Sequence, residues 1–339
     1  MKIWHLRQRG EIVITVLIVT TKTVRVTGIV RQRMSSKLQR IGYHVIRVNK
    51  FIGYYMAAVK FFLNKKFRNK HFLKVKGEQM DIYITEIDKQ FATHFVQTFH
   101  YSQIMPRLTK YYLGIYNGSV LCGVVTLGWG TQPLQTIKKL FPESNYVTAD
   151  YLEIGKMCFS PQFNNSNFGS MALSKLVKWC KTHTNIKFLY TLADGIMGKC
   201  GYVYQASNFR YIGNFKTSVY MDIATGEKIH PRSAKTLCIE NAEWEGKEKV
   251  FWLTDDFCKY KGIDKINGLM FRYIYPMDKE ARKVIEKTFP VIPNPKDTDL
   301  KFEKRISKGV FEEITQPNFN MMVFNHNYQK GAENIIKNF

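Results

Sequence analysis

Apolar residues recur with two periods along this chain, and the switches between them outline an α/β domain. From Met80 to Ile84 apolar and polar residues alternate, which predicts a strand. Asp88 to Phe99 carries Phe91, Phe95, Val96 and Phe99 at helical spacing. Tyr111–Tyr116 and Val120–Leu127 flank Asn117-Gly118, the strongest short hairpin signal. Leu152–Phe159 reads as a strand. Ser170–Cys180 reads as an amphipathic helix with Leu173, Leu176, Val177 and Cys180 on one face. Phe188–Leu192 is an apolar strand that runs into Asp194, a Gly-rich turn, and a short helix bearing Tyr204 and Asn208. Further strands are expected at 209–214, 218–222, 249–253 and 270–274.

This order predicts a mixed central sheet with helices on both faces, an α/β arrangement of the acetyltransferase-like (GNAT-like) kind with irregular N- and C-terminal extensions. Three segments are expected: a basic extension over residues 1–79, a catalytic domain over 80–280, and a charged, Pro-containing tail over 281–339. Residues 290–339 are expected to be loosely ordered.

Charge changes the picture at the N-terminal end. The 339 residues carry a net +24, which suggests a polyanionic partner. Residues 1–79 hold 18 Lys+Arg against Glu11 and Glu78, and the first aspartate of the chain is Asp81. Within this segment Ile12–Val19 reads as a strand and Phe51–Leu63 as a short helix. The segment reads as a DNA-binding arm, as a flexible tail, or as translated non-coding sequence. Lys76-Gly77-Glu78-Gln79-Met80 is compatible with a ribosome-binding sequence before a start codon, so translation is expected to begin at Met80.

The six cysteines are widely spaced with no CxxC pair and read as reduced, packed thiols. The apolar run from Ile12 to Thr20 is too short to span a bilayer, so no membrane partner and no export are expected.

An acid at the end of a core strand is costly unless it is hydrogen-bonded or paired, and strand-to-helix turns are where open α/β sheets bind ligands. Asp194 is therefore either the cap of the following helix or a functional carboxylate. Tyr204 is either a core tyrosine or a functional one. His100 is a helix-terminal histidine or a ligand, Lys156 a solvated charge or a site cation, and Ser170 an N-cap or a site hydroxyl.

His100-Tyr101-Ser102, Glu153-x-x-Lys156, Ser170-Met171-Ala172-Leu173-Ser174 and Ala193-Asp194 occur in order, followed by Gly198-x-x-Gly201-x-x-Tyr204-Gln205-Ala206-x-Asn208-Phe209. Together they resemble the phage Mom-type DNA adenine-modification proteins over roughly residues 80–280. The resemblance implies a GNAT-like fold and a transferase-like enzyme. It implies modification of adenine's exocyclic amine in DNA, a carbamoylmethyl-type adduct and protection from host restriction. It places Asp194, Tyr204, Lys156 and Ser170 in catalytic positions, and His100 and Tyr101 at a His-Tyr pair for which iron has been proposed. Lys156 stands where the family usually has Arg, which keeps the charge and loses the bidentate fork. Lys199 stands where His is common.

On this reading Asp194 is the base or the group that binds the amine, Tyr204 relays a proton, and Lys156 holds an anionic group. The partner is double-stranded DNA with a flipped adenine. Tyr111, Tyr112 and Trp129 are stacking candidates, with Lys199 and Asn208 also on the DNA. Lys110, Lys138, Lys139, Lys178 and Lys181 are available for phosphates. The family makes acetyl-CoA or a related donor possible. Residues 162–170 match the usual pyrophosphate loop poorly, leaving Gly169 and Ser170 as the cofactor-binding candidates. The expected location is the cytoplasm of the infected bacterial host. Alternatives are an acyl-CoA-dependent N-acyltransferase acting on a protein or small amine, and a non-catalytic nucleic-acid-binding protein.

Overall fold

A computed structural model describes residues 81–164, 167–231 and 234–321, together with four backbone strands between residues 3 and 48. The chain divides into two compact units, residues 1–78 and 79–339. In the first unit β1 (Ile3–Gln8), β2 (Glu11–Val19) and β3 (Thr23–Thr27) form antiparallel ladders, and β4 (His44–Val48) adds parallel to β3. The strand expected near Ile12–Val19 is therefore present. The helix expected over 51–63 and the start expected at Met80 lie outside the described residues.

The second unit holds a ten-stranded mixed sheet. β5 (Ile82–Glu86), β6 (Leu108–Asn117), β7 (Val120–Trp129) and β8 (Tyr151–Phe159) run antiparallel in sequence order. β9 (Phe188–Asp194) then joins β8 in parallel, and β10 (Arg210–Asp222), β11 (Lys228–Ile229) and β12 (Ile263–Pro276) complete the path in the order β9-β12-β10-β11.

The expected hairpin forms with its turn one residue later. Asn117 still pairs with Val120, leaving Gly118-Ser119 as the turn. The two strands expected over 209–222 are one strand with an irregularity between Tyr211 and Asn214. No strand forms at 249–253. Phe251 and Trp252 are exposed there, so no alternating face is buried.

Helices cover both faces, which is the GNAT-like arrangement expected from the element order. α1 (Lys89–Phe99) buries Ala92, Phe95 and Val96 against Val124 of β7 and Cys158 of β8. α2 (Pro133–Leu140) packs on the same face through Ile137 and Leu140 against Tyr151 and Phe188. α3 (Phe168–His183) lies on the opposite face, where Phe168, Leu173 and Leu176 meet Val125, Leu127, Leu152 and Ile154. α4 (Tyr202–Gln205) sits beside it. α5 (Lys235–Trp244) and α6 (Asp255–Lys261) form a separate core with Tyr220 and Ile229, and α7 (Lys279–Thr288) packs Ile285 beside Ile274.

Instead of trailing as a loose tail, residues 297–321 return to the sheet. β13 (Glu303–Ser307) pairs with β12, β14 (Val310–Glu313) pairs with β13, and Phe319 is buried against Ile196, Val219 and Ile266. The six cysteines are free thiols, five of them buried. Among the described residues no helix is long and apolar enough to cross a membrane.

Candidate functional site

Two strand irregularities build the site. β8 and β9 pair only from Tyr151–Phe188 to Ile154–Thr191. Beyond that point β8 stays with β7 and β9 stays with β12, so the two strands part and a cleft opens between them. At the same place β7 pairs Leu127 with Ile154 but Thr126 with Lys156, leaving Gly155 as the extra residue of a bulge. A Cβ at Gly155 would lie 2.9 Å from Pro106 and 3.3 Å from the Thr126 hydroxyl. The bulge turns Lys156 onto the face of the sheet that Glu153 already occupies, which explains the Glu-x-x-Lys spacing.

Three groups meet at the cleft. The first is the end of α1. His100 caps the helix through its backbone, and its Nδ1 accepts from the Ser102 amide at 2.9 Å. Burial, then the Lys156 charge, pushes the His100 imidazole down to about 3, so it is neutral at physiological pH. Its ring stacks on Tyr101 with centroids 4.2 Å apart. Tyr101 is held protonated by burial and by the nearby Asp194 and Tyr204.

The second group is Lys156, whose Nζ donates to the Ser102 carbonyl at 3.1 Å. Burial, then the neighbouring Lys228, lowers it to about 8. The third is Asp194. Its Oδ2 accepts from Lys228 Nζ at 2.9 Å, and both side chains are nearly buried. Its Oδ1 is buried with no hydrogen-bond partner. Lys228 Nζ also stands 5.1 Å from the centroid of the Tyr101 ring and 5.6 Å from that of Phe319.

Asp194 makes no side-chain cap to the turn that follows, so it is not the helix cap considered above. Instead Gly201 occupies the N-cap position of α4 in a left-handed conformation, φ +97°. The Asp194 carbonyl accepts from the Lys199 amide, and Tyr204 closes the turn by accepting from Phe209. Tyr204 is buried between Phe209 and Tyr273. Burial raises its hydroxyl, and a hydrogen bond with Thr191 partly opposes that.

Two cavities share this junction. One, of about 220 Å³, is lined by Tyr101, Glu153, Lys156, Asp194, Lys228 and His230. The other, of about 770 Å³, is lined by Tyr101, Lys156, Asp194, Lys199, Tyr204 and Gly169 at the amino end of α3.

The sequence-predicted residues therefore separate into two sets. Asp194, Tyr204, Lys156, His100, Tyr101, Gly169 and exposed Lys199 line connected space. Ser170 does not: its hydroxyl donates to the Asn167 carbonyl at 3.0 Å, and it lines a separate depression with Asn208. Tyr112 is packed against the α1 cluster, away from either cavity. Trp129 lies in the core edge, its indole N–H donating to Thr148 and Tyr151 carbonyls at 2.9 and 3.0 Å. Lys228 is the residue that sequence reasoning missed. It follows Thr225-Gly226-Glu227 on a two-residue strand, without a periodic pattern to mark it.

The geometry lends no support to iron at His100 and Tyr101: Nδ1 of His100 is engaged with Ser102, and among the described residues no group of three His, Cys, Asp or Glu is placed to hold a metal ion.

The chain matches the Mom protein family over residues 81–296. It is 28% identical over 219 residues to the methylcarbamoylase mom of Escherichia phage Mu, covering 64% of this chain and 84% of that one. Among solved structures it is similar to a GNAT superfamily phosphinothricin acetyltransferase from Sinorhizobium meliloti, with 11% identity, 58% and 89% coverage and a TM-score of 0.32. It is also similar to an agmatine N-acetyltransferase, with 6% identity, 58% and 99% coverage and a TM-score of 0.31. With Lys156 just past the Gly155 bulge, a nearly buried Asp194 and Tyr204 gathered where β8 and β9 part, and with the family's pattern matched over most of the second unit, this chain belongs to the Mom protein family.

Proposed function

We propose that this protein modifies the exocyclic amine of adenine in phage DNA, adding a carbamoylmethyl-type group in the cytoplasm of the infected host and so shielding the DNA from restriction. The Mu relative's name, methylcarbamoylase, supports a transferase reading. The observation that carries the proposal is the unpartnered Oδ1 of Asp194, buried at the junction of two cavities.

Adenine's amine is a poor nucleophile because its lone pair is delocalised into the ring. Activation requires an acceptor aimed at an N–H, with the electrophile on the other side. Asp194 offers that acceptor through Oδ1, while Lys228 fixes the other oxygen. Lys156, lowered to about 8, takes up or releases a proton near neutral pH. Tyr204 and Tyr101 remain protonated and stabilise negative charge as it develops. A duplex base does not reach this junction, so the adenine is flipped out.

The larger cavity suits an acyl-CoA-type donor. Gly169 stands in the first turn of α3, where free backbone amides favour phosphate, and Lys199 stands on the same wall. Such a donor, when bound, supplies the electrophilic carbon. No step is assigned to iron.

Nucleoside mass spectrometry of DNA from cells expressing the full chain tests the proposal. An adenine bearing the added group is the expected product, and Asp194→Ala is expected to abolish it in protein that still folds, at a stability lowered by the stranded Lys228. Unmodified adenine in cells that hold soluble, folded protein would remove the proposal.

A further inference from the structure

A third cavity, of about 780 Å³, lies on the side of the junction away from α3. It meets the smaller Asp194 cavity along Ser102, Ile104, Glu153, Gly155, Lys156 and His230. Its rim carries exposed Arg107 and Lys235. Gly130 and Thr131 line it just before α2. Among the described residues Glu153 is the only carboxylate in its lining.

Deeper in, Thr126 lines the same cavity. It is 1% exposed, and its Oγ1 has no hydrogen-bond partner. A buried, unanswered hydroxyl in the wall of a cavity is costly unless something entering the cavity answers it. Trp129 forms another wall, its ring fixed by the two carbonyls that hold its N–H. A cationic rim, a rigid aromatic wall and a deep hydroxyl are the features that hold one nucleotide of a strand.

Resting on the reading that adenine enters the Asp194 cavity, we infer that this third cavity takes the nucleotide adjoining the modified adenine. Its phosphate lies on Arg107 and Lys235. Its base lies along Trp129 with an edge against Thr126.

Fluorescence anisotropy with the full chain and a labelled, adenine-containing DNA duplex, titrated against salt, tests this. Arg107→Ala/Lys235→Ala is expected to weaken binding about tenfold at low salt and to flatten the slope of log K against log salt by about 2, near one per lost phosphate contact. Thr126→Val is expected to weaken binding severalfold with the salt slope unchanged. Both changed positions on the rim are exposed, so native circular dichroism is expected. Wild-type affinity and slope in a folded double variant would overturn the subsite. Wild-type protein that does not bind DNA would overturn the subsite and the adenine reading together. DNA binding that depends on Arg107 and Lys235 without any adenine product would sustain the subsite and remove only the adenine chemistry. Asp194→Ala, expected to bind DNA and make no product, keeps the two readings separable.

Discussion

Lys228 and Asp194, 34 residues apart in sequence, form an ion pair of 2.9 Å with side chains only 11% and 12% exposed. The lysine comes from β11 and the aspartate from the end of β9, with β12 and β10 between them in the sheet. One carboxylate oxygen is used by the pair and the other is left unanswered. A nearly buried pair adds little net stability over an apolar replacement, but removing one partner strands the other.

Lys228→Met is therefore expected to destabilise the second unit by about 3 kcal/mol, read as a lower urea midpoint. Adding Asp194→Asn to that variant removes the stranded charge and is expected to restore part of the loss. Equal midpoints for wild type and Lys228→Met would show that the pair is not coupled to folding.

Lys156 gives a pH signature of the opposite kind. Its ordinary value of 10.5 falls to about 8 through burial and Lys228, while Cys158 and Asp194 partly oppose the fall and the neutral His100 adds no charge. Between pH 8 and 10.5 the unfolded chain holds the proton that the folded chain has lost, so stability rises with pH across that window. The span corresponds to about 3 kcal/mol. Lys156→Met is expected to be more stable than wild type at pH 7, with the gap closing toward pH 10, and to make no adenine product. Chemical denaturation at the two pH values reads the first effect and nucleoside mass spectrometry the second.

His100 acts on the acid side. Its imidazole is lowered from 6.5 to about 3 by burial and Lys156, so the unfolded chain gains a proton first as pH falls. Its contribution is present above pH 6.5 and is lost progressively down to pH 3. His100→Gln is expected to flatten the acid limb of the stability profile over that window. An unchanged limb would mean that the ring titrates normally in the folded protein.

Much of the core was legible because burial repeats with a period. The helix read at Ser170–Cys180 lies inside Phe168–His183, and the strand read at Leu152–Phe159 differs by one residue. Asp194 and Tyr204 were legible because the turn between them is local and Gly-rich. What sequence did not disclose was non-local. Lys228 reaches Asp194 only after β10 has crossed the sheet, and the β13–β14 hairpin is visible only as an edge added to β12. Ser170 matched by motif order alone, and its position on the α3 helix turns its hydroxyl back to Asn167.

That placement separates two hydroxyls which the family resemblance treats alike. Ser170→Ala removes a single local hydrogen bond outside the junction and is expected to retain product and to cost less than about 1 kcal/mol. Tyr204→Phe keeps the buried ring and removes the hydroxyl bonded to Thr191, at a residue that lines the larger cavity. It is expected to keep its fold within about 1 kcal/mol and to lose most of the product. Quantifying modified adenine in the two variants, beside their urea midpoints, checks both. Loss of product in folded Ser170→Ala would return that serine to the site.

Gly201 tests whether the turn that presents Tyr204 is fixed by backbone geometry. It holds φ +97°, and a Cβ placed there would lie 2.5 Å from the Tyr273 ring and 2.8 Å from its hydroxyl. That hydroxyl donates a short hydrogen bond to the Cys200 carbonyl and accepts from Gln205 at 2.9 Å, so the ring is pinned from both sides. The tyrosine therefore has no free direction in which to yield. Left-handed strain of about 1–2 kcal/mol then adds to overpacking of about 1–3 kcal/mol. Gly201→Ala is expected to lower stability by about 3 kcal/mol and, by displacing Tyr204, to reduce adenine product more than any loss of folded protein accounts for. Thermal melting and product measured per folded molecule check the two parts. A variant with wild-type stability would show that the turn relaxes around the added methyl.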